Sequence, residues 1–98
     1  MAILSFKDSA TEAFFNDGIL PRRCPWAQQA NVAARKLDML QAAATVEDLR
    51  MPPSNRLELL SGDMRGLYSI RINRQWRVIF SWPEEAPGPS DATIMDYH

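Results

Sequence analysis

The chain has 98 residues, 46% of them hydrophobic, with three tryptophans and a formal net charge of −1. Together with a pI near 5.7, these values fit one small folded domain and exclude a disordered chain or an indiscriminate polyanion binder. Cys24 stands alone and the single histidine is His98, the last residue, so neither a disulfide scaffold nor a structural zinc site is expected.

The opening MAILSFKDSATEAFF has no basic leader, and no apolar run nears the ~20 residues that span a bilayer, so the cytosol is the expected address. Residues 2–6 read as a short strand through Ile3, Leu4 and Phe6. Ser9 and Glu12 have the spacing of a capping box that opens a short helix with Ala10, Ala13 and Phe14 as its buried stripe. Gly18 supplies its stop, and Ile19 to Cys24 form a connecting turn. Pro25 suits the first position of a longer helix. From Trp26 the positions Ala30, Ala33, Leu37, Leu40 and Ala44 recur at alternating steps of four and three. The short connection makes the two helices an antiparallel pair.

Residues 45–55 lose that period and contain Pro52-Pro53, which predicts an irregular crossover. Beyond it the period becomes two. Leu57 and Leu59 alternate with Arg56 and Glu58, and Ser61-Gly62-Asp63 closes that strand. Tyr68, Ile70 and Ile72 alternate with Ser69, Arg71 and Asn73, and Trp76, Val78, Phe80 and Trp82 alternate with Arg77, Ile79 and Ser81. Asn73-Arg74 joins the two as a tight hairpin. Residues 83–91 read as a loop and 93–97 as a last strand. The expected architecture is α+β, with two N-terminal helices packed on one face of a small antiparallel β-sheet.

With the aromatic and aliphatic set facing the helices, Arg56, Glu58, Arg71 and Arg77 fall together on the opposite face. Residues 56–77 hold five arginines against Glu58 and Asp63. Such a cluster suits contact with phosphate in one place, although arginines scattered on a solvated hairpin give the same count. Guanidinium groups grip phosphate oxygens bidentately and stay charged, so Arg56, Arg71 and Arg77 fit ground-state and transition-state phosphate binding. Glu58 among them serves as a general base or as a salt-bridging scaffold. His98 follows Asp96 and Tyr97. An imidazole with an ordinary pKa of about 6.5, flanked by carboxylates, favours the protonated form that a general acid needs. Tyr97 stacks a base, donates its hydroxyl or points into the core. Lys7, Lys36, Arg22 and Arg23 add contacts to RNA or are simply solvated. The chain has no P-loop, GxGxxG, Ser-His-Asp spacing or metal cluster.

Several runs together carry a resemblance: Arg56-Leu57-Glu58-Leu59-Leu60-Ser61-Gly62-Asp63, Gly66-Leu67-Tyr68-Ser69-Ile70-Arg71-Ile72-Asn73, Gln75-Trp76-Arg77-Val78-Ile79-Phe80 and the terminal Asp96-Tyr97-His98. With Ser5-Phe6-Lys7 and Ala34-Arg35-Lys36-Leu37, they make the chain resemble HigB-type toxins of bacterial toxin–antitoxin modules, in the RelE/ParE superfamily. The resemblance implies a compact toxin fold acting as a metal-independent, ribosome-dependent mRNA endonuclease that needs no cofactor. The implied partners are the ribosome with its mRNA and a HigA-type helix-turn-helix antitoxin, through which the toxin meets operator DNA only indirectly.

Carried onto this sequence, the family's terminal Asp-Tyr-His falls on Asp96, Tyr97 and His98, its arginine after tryptophan on Arg77 and a basic position on Arg56. Glu58 stands where some members have a histidine. Either Glu58 takes over as base, or His98 alone moves protons in a weaker enzyme. The slightly acidic pI also departs from the basic character of ribosome-acting toxins. The other function the superfamily offers is a non-enzymatic one, a ParE-like inhibitor that binds gyrase or a co-repressor acting with its antitoxin.

Overall fold

Helix α1 (Ser9–Asp17) begins where Asp8 sits in extended backbone and its Oδ2 accepts from the Thr11 N–H at 2.9 Å, satisfying one of the open donors of the first turn. The structure, a computed structural model, describes residues 2–97. The cap is Asp8, not the predicted Ser9. Its carboxylate also accepts from the Thr93 hydroxyl at 2.7 Å, a partner 85 residues away that local spacing does not reveal. Thr11 and Phe14 are the buried residues of α1, while Ala10 is exposed. Gly18, at φ 70°, ends the helix as predicted and returns its N–H to Phe14 O at 2.9 Å.

The second helix starts later than Pro25. A short 3-10 turn, Ala27–Gln29, precedes α2 (Ala30–Ala42). Trp26 is the reason: its indole is buried edge-on against Phe14, with ring centroids 4.8 Å apart, and its backbone at φ −107°, ψ 21° is not helical. Helix α2 buries Ala33, Leu37 and Leu40 as the period predicts, and Lys36 as it does not. It stops before Ala44, so extended Ala43 takes the core position and Ala44 is exposed. The crossover is more ordered than its composition implies. It holds the 3-10 turns Val46–Arg50, with a Thr45–Asp48 capping box, and Pro53–Asn55, and it buries Leu49 and Asn55.

The sheet has four antiparallel strands in sequence order, β1 (Glu58–Leu59), β2 (Leu67–Arg71), β3 (Trp76–Ser81) and β4 (Ser90–Asp96). The hairpin between β2 and β3 is set by Asn73, whose Oδ1 accepts from the Gln75 and Trp76 N–H groups at 2.9 and 2.7 Å. Strand β4 begins at Ser90, inside the predicted loop. There Asp91 and Ala92 stand opposite the single residue Phe80, a bulge with Asp91 at φ 55°. The N-terminal segment is not a full strand. It makes one parallel bridge, Phe6 to Ala92, and lies against β4 through backbone bonds such as Leu4 N–H to Pro89 O at 2.8 Å.

One core lies between the helices and the sheet, where Phe14, Trp26, Leu37, Leu40 and Leu49 meet Ile70, Ile72, Val78, Phe80, Trp82, Ala92 and Ile94. Burial of such side chains at roughly 25 cal/mol per Å² is the main force that holds the layers together. Alternation sends Glu58, Ser69, Arg71, Arg77, Ile79, Thr93 and Met95 to the other face. No described helix is long and apolar enough to cross a membrane.

Candidate functional site

On the face away from the helices, strand register places Glu58 opposite Ser69, and Arg71 opposite Arg77, which in turn lies opposite Met95. The Arg77 side chain is only 16% exposed. Its Nη1 donates to Ser69 Oγ at 3.1 Å and to Glu58 Oε1 at 3.3 Å. Its Nε is enclosed and has no acceptor among the described residues. A guanidinium held in place yet partly open to solvent is suited to an anionic oxygen, because it meets that oxygen as a fixed, permanently charged donor. Glu58 is half exposed, so the ion pair adds little to stability and is open to exchange with a ligand.

The predicted arginine cluster divides in two. Arg56 does not join Arg77. It lines a cavity of about 350 Å³ with Arg35, Lys36 and Arg71, and none of the described residues that line this cavity is acidic. The backbone explains the separation: Arg56 caps the Pro53–Asn55 turn in the left-handed region at φ 46°, two residues before the pairing that begins at Glu58. Cross-strand neighbours Arg71 and Arg77 connect the two groups.

Lys36 lies in the interior, with Nζ donating to Asn55 Oδ1 at 2.6 Å. Burial pushes its ammonium below the ordinary lysine range, and Arg35 adds in the same direction. Lys7 is elsewhere, exposed beside a cavity of about 260 Å³ with Leu67, Ile79, Thr93 and Met95 among its lining. A further cavity of about 390 Å³ lies at the other end of the sheet and is flanked by Glu84 and Glu85 with Tyr68 and Trp82. Its charge does not suit a phosphate. The described residues contain no group of three or more His, Cys, Asp or Glu able to hold a metal.

Antiparallel pairing brings Asp96 and Tyr97 beside the start of β3. Asp96 stands opposite Trp76 and so points to the helix side, where it accepts from Gln75 Nε2 at 2.8 Å. Tyr97 is half-buried and donates its backbone N–H to Gln75 O at 3.1 Å. His98 falls outside the described residues. Sequence reasoning did not single out Ser69, Arg35 or Asn55. Strand parity with Arg71 was the available signal for Ser69. Nothing local marks Asn55, whose burial depends on the crossover folding over α2.

Comparison with known proteins shows which family the chain belongs to. The family model described as a RelE-like toxin of the type II toxin–antitoxin system HigB matches residues 4–98. The chain belongs to this HigB-like toxin family. Toxin HigB-1 of Vibrio cholerae serotype O1 is 42% identical over 95 residues, which cover 97% of this chain and 96% of that protein. An uncharacterized Haemophilus influenzae protein is 40% identical over 77 residues, 79% of this chain and 75% of its own. Among solved structures, a YoeB/ParE toxin from Agrobacterium tumefaciens covers 100% of both chains at 17% identity, with a TM-score of 0.49. A HigB-like toxin of a type II module has an antitoxin as its partner.

Proposed function

We propose that this HigB-like toxin is a ribosome-dependent endoribonuclease that cuts translated mRNA and so arrests growth. The observation that carries the reading is Arg77, held by Ser69 and Glu58 beside Arg71 on the neighbouring strand. A guanidinium so placed stabilises the charge that builds on the phosphate oxygens as the 2′-oxygen attacks phosphorus.

In the proposed reaction the P–O5′ bond breaks as the new P–O2′ bond forms, leaving a 2′,3′-cyclic phosphate and a free 5′-hydroxyl. Glu58, in contact with Arg77, takes the 2′-hydroxyl proton. His98 returns a proton to the leaving 5′-oxygen, and Asp96 and Tyr97 set the path of the terminus that delivers it. Arg56 and Arg71 hold the RNA backbone in the basic cavity, with Lys36 behind them. The scheme uses no metal of the toxin's own. In the cytoplasm a HigA-type helix-turn-helix antitoxin would silence it and carry it to operator DNA.

Primer extension on cellular mRNA after induction tests the reading. Cuts within translated frames are expected from the wild type and none from Arg77→Ala or from a chain lacking residues 96–98. Growth arrest without any cuts would overturn it in favour of a toxin that acts by binding.

A further inference from the structure

Lys36 is 6% exposed and Asn55 is completely enclosed, a placement that costs free energy unless each polar group finds a partner. They find each other, with Lys36 Nζ 2.6 Å from Asn55 Oδ1. The Asn55 amide nitrogen is also committed, donating to Leu49 O at 3.1 Å and Met51 O at 3.4 Å. One ammonium on α2 thus secures a side-chain amide whose donors tie the two turns of the crossover together.

The next residue is Arg56. Its backbone lies in the left-handed region at φ 46°, and its N–H returns to Pro53 O at 3.0 Å. A residue other than glycine keeps that conformation only where its surroundings impose it. In it, Arg56 borders the basic cavity together with Arg71 and Lys36 itself.

We propose that Lys36 and Asn55 are positioning residues that hold Arg56 at the RNA-binding cavity. This inference rests on the endonuclease reading for the purpose of the cavity, though not for the clamp itself. Lys36 then acts on RNA through Asn55 and the turn. An apolar residue would fill the same space without the burial cost, but it would leave the Asn55 oxygen unsatisfied and the turn unanchored.

The test pairs two measurements on the full chain: amide hydrogen exchange at Asn55 and Arg56, and cleavage of mRNA on purified, programmed ribosomes. Lys36→Met keeps the side-chain length, and Asn55→Asp keeps the acceptor for Lys36 but forfeits both donors, so the second variant serves if the first does not fold. Either is expected to speed Arg56 exchange and lower the cleavage rate about ten- to hundredfold, the scale of a displaced binding group. In an Arg56→Ala background the same substitution should add less than about a twofold loss, because the two act as a unit. Unchanged exchange overturns the proposal. So do losses that multiply independently, since Lys36 would then touch RNA itself or serve only general stability. A wild-type chain that cuts nothing removes the endonuclease reading instead, and exchange at Arg56 still decides whether the pair holds it.

Discussion

Ser69 and Arg77 are bound across adjacent strands, Oγ to Nη1 at 3.1 Å, at a site where Ser69 is fully buried and the Arg77 guanidinium is mostly covered. The hydroxyl restrains the guanidinium of Arg77 through a fixed protein partner. Glu58 holds the same nitrogen from the edge strand.

Ser69→Ala is therefore expected to reduce cleavage about tenfold through a loosened Arg77, while stability falls by only about 1 kcal/mol, the net worth of one hydrogen bond. Ribosome-programmed cleavage measured beside a thermal melt checks this. A loss of stability large enough to account for the lost activity would make Ser69 a core residue and nothing more.

Glu58→Gln separates the two roles open to this side chain. The amide oxygen still accepts from Arg77 but takes no proton. Cleavage is expected to drop about 10²- to 10⁴-fold, the range for a lost general base, with little change in the apparent KM for programmed ribosomes. Near-normal turnover would make Glu58 an anchor for Arg77 only.

Asp8 joins two elements, capping α1 through Thr11 and receiving the Thr93 hydroxyl from β4. Burial pushes its carboxyl up, yet the hydrogen bonds from Thr93 and Thr11 outweigh that and hold it below the ordinary value of 3.8. A carboxylate with a depressed folded-state pKa stabilises the fold above its unfolded pKa, and that stabilisation is lost as pH falls through the folded value. Asp8→Ala should cost about 1 to 2 kcal/mol at neutral pH. Melting curves from pH 7 down to about 3 should show the gap to wild type narrowing only below the ordinary carboxylate range. A gap independent of pH would show that the charge does not matter.

Gly88 is buried against the N-terminal segment, and a Cβ there would lie 2.3 Å from Ala2 O. The obstacle is backbone, which cannot swing aside as a flexible side chain does. Gly88→Ala should push residues 2–6 off β4 and cost about 1–3 kcal/mol, the range for overpacking. Faster exchange at the Leu4 amide, which bonds Pro89 O, is the local reading. Protection equal to wild type would show that the segment shifts without penalty.

Much of the fold and the family was present in the residues taken in order. The alternation through Tyr68, Ile70, Val78 and Phe80 and the spacing of Ala33, Leu37 and Leu40 are local records of which side meets the core, and burial follows them. The same parity put Glu58, Arg71 and Arg77 on one face, and the motif runs from Arg56 to Phe80 with Asp96-Tyr97-His98 carried the family. What depends on partners far along the chain was hidden. The Thr93 hydroxyl that reaches the Asp8 cap comes from β4, and the Phe14 ring that receives the Trp26 indole comes from α1. Lys36 reads as a solvated helix cation until the crossover lays Asn55 over it, and the turn before Arg56 then separates that arginine from Arg77. Periodicity reports the face a residue turns to the core, because that choice is made within a few residues. Which polar groups meet there is decided by contacts closed over loops of any length, and only the tertiary structure sets those.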